Sequence, residues 1–351
     1  MSIKTKIFLI IFITTLMFII ILCMINYLLR LRPPSSLILV WKRIHSEGKD
    51  VLSICFSPDG YWLASGGLDG TIKIWRVRDG NLFKIIRIGI SIKCISWSPC
   101  GRNIAIACPG GIIKILRTND WKLIKVIKSK NVKSVSPILF SPDGNFLVSG
   151  GGFLKEIRPN IWKVVGGGIK VWQTKDWKLL KILNPDKGIN WLSFTPDASY
   201  LASAEADKFI RVWELPEFIL VKELAIDEIP KCIVFSPNGK LLFIGAGYEV
   251  IFWKFLEEDI SQRFLTCDES IDNLVFSSNG RFLAIKSRSS ITFYQIIDKK
   301  RIFKLYIPYA KWLAQITPCY IIAFSPDSKL LAIGDENGYV HLYKIKDGYI
   351  R

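Results

Sequence analysis

The chain has 351 residues, 50% of them hydrophobic, with 48 lysines and arginines against 30 aspartates and glutamates, a net charge of +18. That apolar content supports a large core and excludes an intrinsically disordered chain. The basic excess suits an anionic partner such as phospholipid or nucleic acid, but the cations are dispersed and form no long run, so general lysine-rich usage is the plainer reading.

Residues 7–25 form an apolar run broken only by Thr14 and Thr15, with Lys4 and Lys6 before it and Arg30 and Arg32 after it. Such a run matches the hydrocarbon core of a bilayer as a helix, and it exceeds a typical signal-peptide apolar region. No small-x-small cleavage site comes after it. The segment is expected to be an uncleaved, single-pass anchor within residues 1–29. Arg30, Arg32, Lys42 and Arg43 on its C-terminal side place the globular part of the chain in the cytoplasm, by a small margin over Lys4, Lys6 and the free amine. Residues 30–36 (Arg-Leu-Arg-Pro-Pro-Ser-Ser) read as a short, stiff linker.

Leu37 to Ile44 then reads as a strand, and from Val51 onwards the chain repeats one block seven times. The copies are Phe56-Ser-Pro-Asp-Gly60, Trp97-Ser-Pro-Cys-Gly101, Phe140-Ser-Pro-Asp-Gly144, Phe194-Thr-Pro-Asp-Ala198, Phe235-Ser-Pro-Asn-Gly239, Phe276-Ser-Ser-Asn-Gly280 and Phe324-Ser-Pro-Asp-Ser328. Pro presets φ for a turn, Asp or Asn bonds the turn backbone, and Gly tolerates positive φ, so each block is a hairpin corner between two strands. A period in the forties with turn chemistry at constant phase marks a repeat architecture.

The first full unit, Leu63-Ala-Ser-Gly-Gly-Leu-Asp-Gly-Thr-Ile-Lys-Ile-Trp75, closely resembles the WD-repeat family of β-propellers. That resemblance covers nearly all of residues 37–351. It implies an all-β, seven-bladed propeller of four-stranded antiparallel blades, preceded by the transmembrane helix. The third strands are expected to end at Trp75, Leu116, Trp172, Trp213, Trp253, Tyr294 and Tyr343. The last unit lacks a fourth strand, and Leu37–Ile44 belongs to no other unit. Pairing the two would close blade seven and remove an open edge, as the family does.

The family also implies a buried hydrogen-bonded set, here His45, Ser65, Asp69 and Trp75. These residue types invite a catalytic reading, but the resemblance makes them a structural brace. His341 reads as a packed side chain. Two histidines and no His-Glu-x-x-His spacing offer no metal site, and the eight cysteines, none in a Cys-x-x-Cys pair, read as small buried residues. No catalytic residue and no cofactor is expected.

Two insertions break the period. Residues 151–167 carry Phe153, Lys155, Arg158 and Trp162; residues 307–319 carry Tyr309, Lys311 and Trp312. Connections between second and third strands and connections between blades open on one rim, so both insertions decorate a single face and form a candidate partner-binding surface. The opposite rim carries the turns between third and fourth strands, with Arg76, Arg78, Arg117, Lys122, Lys175, Lys178, Lys299, Lys300 and Arg301 as a candidate lipid-facing basic set. The expected function is a membrane-tethered protein-interaction scaffold, monomeric as a ring and without its own catalytic activity. A nucleic-acid-binding or regulatory propeller using the basic surface is the alternative, and a hydrolase-associated propeller is less favoured because no nucleophile elbow or phosphate loop is present.

Overall fold

The computed structural model describes residues 37–346, apart from 130–133, 159–160, 185, 258–259 and 307–320, together with residues 17 and 20. Apart from residues 17 and 20, the 7–25 segment lies outside the described residues, as do Tyr309, Lys311 and Trp312. Among the described residues no helix is long and apolar enough to cross a membrane.

Strand β1 (Leu37–Ile44) comes first, and six complete blades come after it. Blade one holds β2 (Val51–Phe56), β3 (Trp62–Gly67), β4 (Thr71–Arg76) and β5 (Leu82–Arg87). Blade two holds β6 (Cys94–Trp97), β7 (Asn103–Cys108), β8 (Ile112–Arg117) and β9 (Lys122–Lys128). Blade three is β10 (Ser134–Phe140), β11 (Phe146–Arg158), β12 (Ile161–Val165), β13 (Ile169–Gln173) and β14 (Leu179–Leu183). Blade four is β15 (Ile189–Phe194), β16 (Tyr200–Glu205), β17 (Phe209–Glu214) and β18 (Ile219–Ala225). Blade five is β19 (Pro230–Phe235), β20 (Leu242–Ala246), β21 (Glu249–Lys254) and β22 (Ile260–Thr266). Blade six is β23 (Ile271–Phe276), β24 (Phe282–Ser287), β25 (Ser290–Gln295) and β26 (Lys300–Tyr306). Blade seven starts with β27 (Ile322–Phe324), β28 (Leu330–Gly334) and β29 (Tyr339–Ile345).

Each sheet is an antiparallel meander, and β1 pairs with β29 to give blade seven the order β1-β29-β28-β27. The register sets Leu37 against Ile345 and Ile44 against Tyr339. First strands of successive blades touch one another, and β2 meets both β6 and β27, so the ring is closed around the first strands. Buried aliphatic and aromatic side chains fill the space between neighbouring sheets, with one cluster running through blades four, five and six and another joining blade six to blade seven and Leu37. The sequence can do this because its second strands read as buried apolar runs such as Leu63, Ala64 and Ser65, each under 1% exposed.

The corners carry out the chemistry expected of them. Ser57 Oγ donates to Asp59, Asp59 Oδ1 accepts the Tyr61 N–H at 3.0 Å, and the Trp62 N–H returns to Ser57 Oγ at 2.9 Å. The fifth corner residue has positive φ in all seven blades, including the non-glycines Ala198 (59°) and Ser328 (62°). Ser328 is tied in place across the blade boundary: its Oγ accepts the Asn279 N–H of blade six at 3.0 Å. First-strand serines staple neighbours in the same way, Ser53 Oγ accepting Ile95 N–H and Ser193 Oγ accepting Phe235 N–H.

Strand β1 also reaches into blade one. Trp41 Nε1 donates to the Val77 carbonyl at 2.8 Å, and Arg43 donates to the Gly80 and Asp79 carbonyls at 3.0 and 3.1 Å. Gly80 has φ +68°, and a Cβ there would stand 2.6 Å from the Trp41 ring, so position 80 admits only glycine. The last join of the ring is therefore tied on two sides.

Candidate functional site

An up-and-down meander puts all corners and all third-to-fourth-strand turns on one rim, called here the corner rim. Second-to-third turns and blade-to-blade links lie on the other, the crossover rim. Because Leu37 faces Ile345, at the corner-rim end of β29, the chain enters the propeller from the corner rim.

On the crossover rim the first insertion is a β-hairpin. Strand β11 runs on past its partner β13 to Arg158, and β12 returns with Phe153 opposite Val165 and Glu156 opposite Trp162. Phe153, Lys155, Arg158 and Trp162 all lie on this hairpin, which touches β15 of blade four. The chain leaves it through Gly166, Gly167 and Gly168, all at positive φ, and a Cβ on Gly168 would meet the Leu183 carbonyl at 2.5 Å. The partner insertion at 307–319 lies outside the described residues.

The buried set meets as a chain inside blade one. Trp75 Nε1 donates to Ser65 Oγ at 2.7 Å, Ser65 Oγ stands 2.8 Å from His45 Nδ1, and His45 Nε2 stands 3.3 Å from Asp69 Oδ1. With the imidazole neutral and protonated on Nε2, every donor has an acceptor. Burial holds the His45 pKa below 6.5 against the pull of Asp69. Burial works to raise the Asp69 pKa, but the Thr71 hydroxyl and N–H, with His45, bring it below 3.8. Ser65 is wholly buried and His45 only 1% exposed, so a substrate has no access to the serine, and the set braces the blade.

Blade four solves the same problem with different residues, which no sequence motif marked. Glu205 occupies the position of Gly67, and Arg211 that of Lys73. Glu205 accepts from Ser203 Oγ at 2.9 Å and Asn184 Nδ2 at 3.1 Å, and it ion-pairs with Arg211. Arg211 also binds Asp207 at 3.2 Å and Glu223 at 2.6 Å. Trp213 Nε1 reaches Ser203 Oγ at 3.4 Å. In blade one a Cβ on Gly67 would stand 3.2 Å from His45 Nε2. The histidine of one blade and the glutamate of the other thus fill the same space. Blade seven repeats the swap with Asp335 and His341 at 2.9 Å, so His341 is a hydrogen-bond partner of that carboxylate as well as a ring stacked on Tyr343. In blade five Ile244 replaces the serine, and the Trp253 indole N–H is buried without a partner.

The corner rim is mixed rather than evenly basic. Arg76 pairs with Asp79 at 3.1 Å, Arg117 with Asp120 at 2.7 Å and Lys178 with Asp176 at 3.4 Å, while Lys299 Nζ lies 5.3 Å from the centre of the Phe264 ring. Arg78, Lys122, Lys175, Lys300 and Arg301 are exposed on the same turns. Blades six, one, two and three carry a net positive turn here; blade four, with Glu214 and Glu217, carries a negative one. Trp121 and Trp177 sit in these turns at φ 60°, one and two residues before their fourth strands. Among the cysteines, Cys55, Cys94, Cys108 and Cys232 are inert packing groups, burial pushing the Cys55 thiol up to about 12 and Cys108 to about 11. Cys100, which replaces a corner Asp, is exposed instead. Among the described residues no group of histidine, cysteine and carboxylate side chains could hold a metal ion.

The family model for WD40 (WD domain, G-beta repeat) matches residues 39–76, 121–158, 177–214 and 317–344. The first match begins in β1 and ends with β4, so the sequence repeat is offset by one strand from the structural blade. A stretch of 54 residues is 44% identical to the rat (Rattus norvegicus) "Ribosome biogenesis protein BOP1", covering 15% of this chain and 7% of that protein. A longer stretch of 181 residues is 28% identical to "Protein HIR1" of Kluyveromyces lactis, covering 49% of this chain and 18% of that one. The chain thus spans less than a fifth of the length of either relative.

Proposed function

We propose that this WD-repeat β-propeller is a membrane-tethered scaffold that binds protein partners on its crossover rim and carries out no chemistry itself. The observation that supports it most is the 153–165 hairpin. It is an ordered extension from an otherwise regular meander, on the rim where the second insertion also emerges. A rigid ring presenting a projecting hairpin with Trp162, Arg158 and Phe153 offers the residue types that dominate protein interfaces. Repeat matches of this family and the internal role of the His45 set agree with a binding platform better than with an enzyme. The apolar run at 7–25 supplies the tether.

Affinity capture of the full-length protein from its own membranes tests the reading. Wild type should bring down at least one protein that is lost when Lys155, Arg158 and Trp162 are replaced by glutamate, glutamate and alanine. An unchanged set of captured proteins overturns the assignment of this face. The tether is tested separately. The full-length chain should resist high salt and alkaline carbonate and be released by detergent, and release by salt alone refutes it.

A further inference from the structure

We propose that the corner-rim edge of blades one and two is a docking surface for an anionic bilayer. The proposal rests on the tether reading for its geometry, and it sharpens that reading from a whole basic rim to one sector on which the ring leans.

The sector is marked by an aromatic chain that crosses the groove between the two blades. Ring centres of Trp62 and Phe83 lie 4.5 Å apart, Phe83 and Trp121 6.1 Å, and Trp121 and Trp97 6.2 Å. Beside it Tyr61 is 70% exposed and Phe83 49%. The outer strands continue the apolar surface. Leu82 and Ile85 of β5 and Leu123, Ile124 and Val126 of β9 are all exposed. Outer edge strands are normally guarded by charge, and contiguous exposed apolar area marks an interaction surface.

Charge chooses the occupant. Among these apolar residues stand the exposed cations Lys84, Arg87, Lys122 and Lys125, while the nearby acids Asp79 and Asp120 are already held by Arg76 and Arg117. Apolar side chains, a layer of indole and phenol rings, and a fringe of lysine are what the boundary between acyl chains and anionic headgroups accommodates. A flat bilayer can meet only a short arc of a convex ring, so the arc is set by where these features coincide. Blade four has an apolar outer strand, with Ile219 55% exposed, but its turn carries Glu214 and Glu217. Blade six has the basic turn Lys299-Lys300-Arg301, but its outer strand is polar where it is exposed. Blades one and two combine both; blade three shares the exposed apolar outer strand, with Leu179 45% and Leu180 47% exposed, and the positive turn, but only blades one and two add the four-ring aromatic chain. The tether agrees. Strand β1, through Trp41 and Arg43, is bonded to the very turn of blade one that borders the sector. Residues 30–36 before it span at most about 23 Å at roughly 3.3 Å each.

The test uses the full-length protein reconstituted into two kinds of vesicle with brominated acyl chains, phosphatidylcholine alone and phosphatidylcholine containing phosphatidylserine. Three of the chain's 12 tryptophans, Trp62, Trp97 and Trp121, lie in the sector. Quenching should be stronger in the phosphatidylserine vesicles and should fall as salt is raised. Phe83→Glu with Leu123→Glu should abolish that lipid-dependent difference. Lys84→Gln with Lys122→Gln, which alters exposed residues only and so leaves the melting curve in place, should lower the docking equilibrium by about fivefold per lysine. Equal quenching in both vesicles, or no change in either variant, overturns docking even when the chain remains carbonate-resistant. Loss of carbonate resistance with lipid-dependent quenching intact would instead reject the tether and leave the docking surface standing. If a single-stranded oligonucleotide displaces the quenching at constant ionic strength, the surface belongs to nucleic acid, and the bilayer assignment is wrong.

Discussion

Replacing Trp41 by alanine should cost more stability than its place on an outermost strand suggests. The side chain is 5% exposed, its centroid lies 6.3 Å from that of Trp75, and its Nε1 donates to Val77 at 2.8 Å. It is the wedge between blade seven and blade one, with Gly80 against its ring. Removing a buried tryptophan of this kind costs about 4 kcal/mol, transfer and cavity together. Unfolding entropy of about 2.1 cal/mol/K per residue, over roughly 300 residues, gives about 0.65 kcal/mol/K, so the loss corresponds to a fall in Tm of about 6 °C. Trp41→Phe keeps most of the packing and loses the hydrogen bond, for a cost of about 1–2 kcal/mol. Circular-dichroism melts of the detergent-solubilised full chain, supported by urea titration, measure both. Deleting Leu37–Ile44 should destabilise the protein further, and deleting Tyr349–Arg351 should do little. If Trp41→Ala lies within about 1 kcal/mol of wild type, or the two deletions melt alike, the join does not hold the ring.

Arg211→Met should cost about 3–5 kcal/mol, because it leaves the Glu205 carboxylate buried beside Ser203 without its cation; adding Glu205→Leu should restore part of that loss, and equal instability of the single and double variants would refute the pairing. The His45 set should show itself in the pH dependence of stability. The folded pKa of His45 lies below 6.5, so its contribution is complete above that pH and declines as pH falls from 6.5 towards the folded value. Asp69 acts in the same direction at lower pH, since its folded pKa lies below 3.8. Urea midpoints should therefore drop on acidification from pH 7 to pH 5, and His45→Gln should flatten that slope; an unchanged slope in the variant would place the titration elsewhere.

The blades were legible from sequence because each corner is a local event. Ser57, Pro58, Asp59 and Gly60 contain their own hydrogen-bond partners and dihedral preferences, and no distant residue is needed to read them. The 153–165 hairpin was less legible, because Pro159-Asn160 between its strands is not one of the glycine-containing dipeptides that mark a two-residue hairpin. The Glu205–Arg211 and Asp335–His341 pairs were hidden because no single stretch announces them. They are visible only when blades are superimposed in phase and a carboxylate is found where blade one has Gly67, with a basic side chain where it has Lys73. The aromatic chain of blades one and two was missed for a similar reason. Trp62, Phe83, Trp97 and Trp121 are scattered over two repeats, and only the curvature of the ring brings them together.

The pairing of β1 with β29 also sets a clock. Nearly 300 residues separate the two strands, so at a synthesis rate of about 5–20 residues per second the first strand waits roughly 15–60 s for its partner. Bringing such distant ends together carries a chain-entropy cost of about 5 kcal/mol. During that interval Ile38, Leu39 and Val40 stand on an unpaired edge, with only Lys42 and Arg43 close by to discourage wrong pairing. Under the tether proposed above, this strand would stay at a fixed place while the other six blades assemble, and β29 would find its partner waiting.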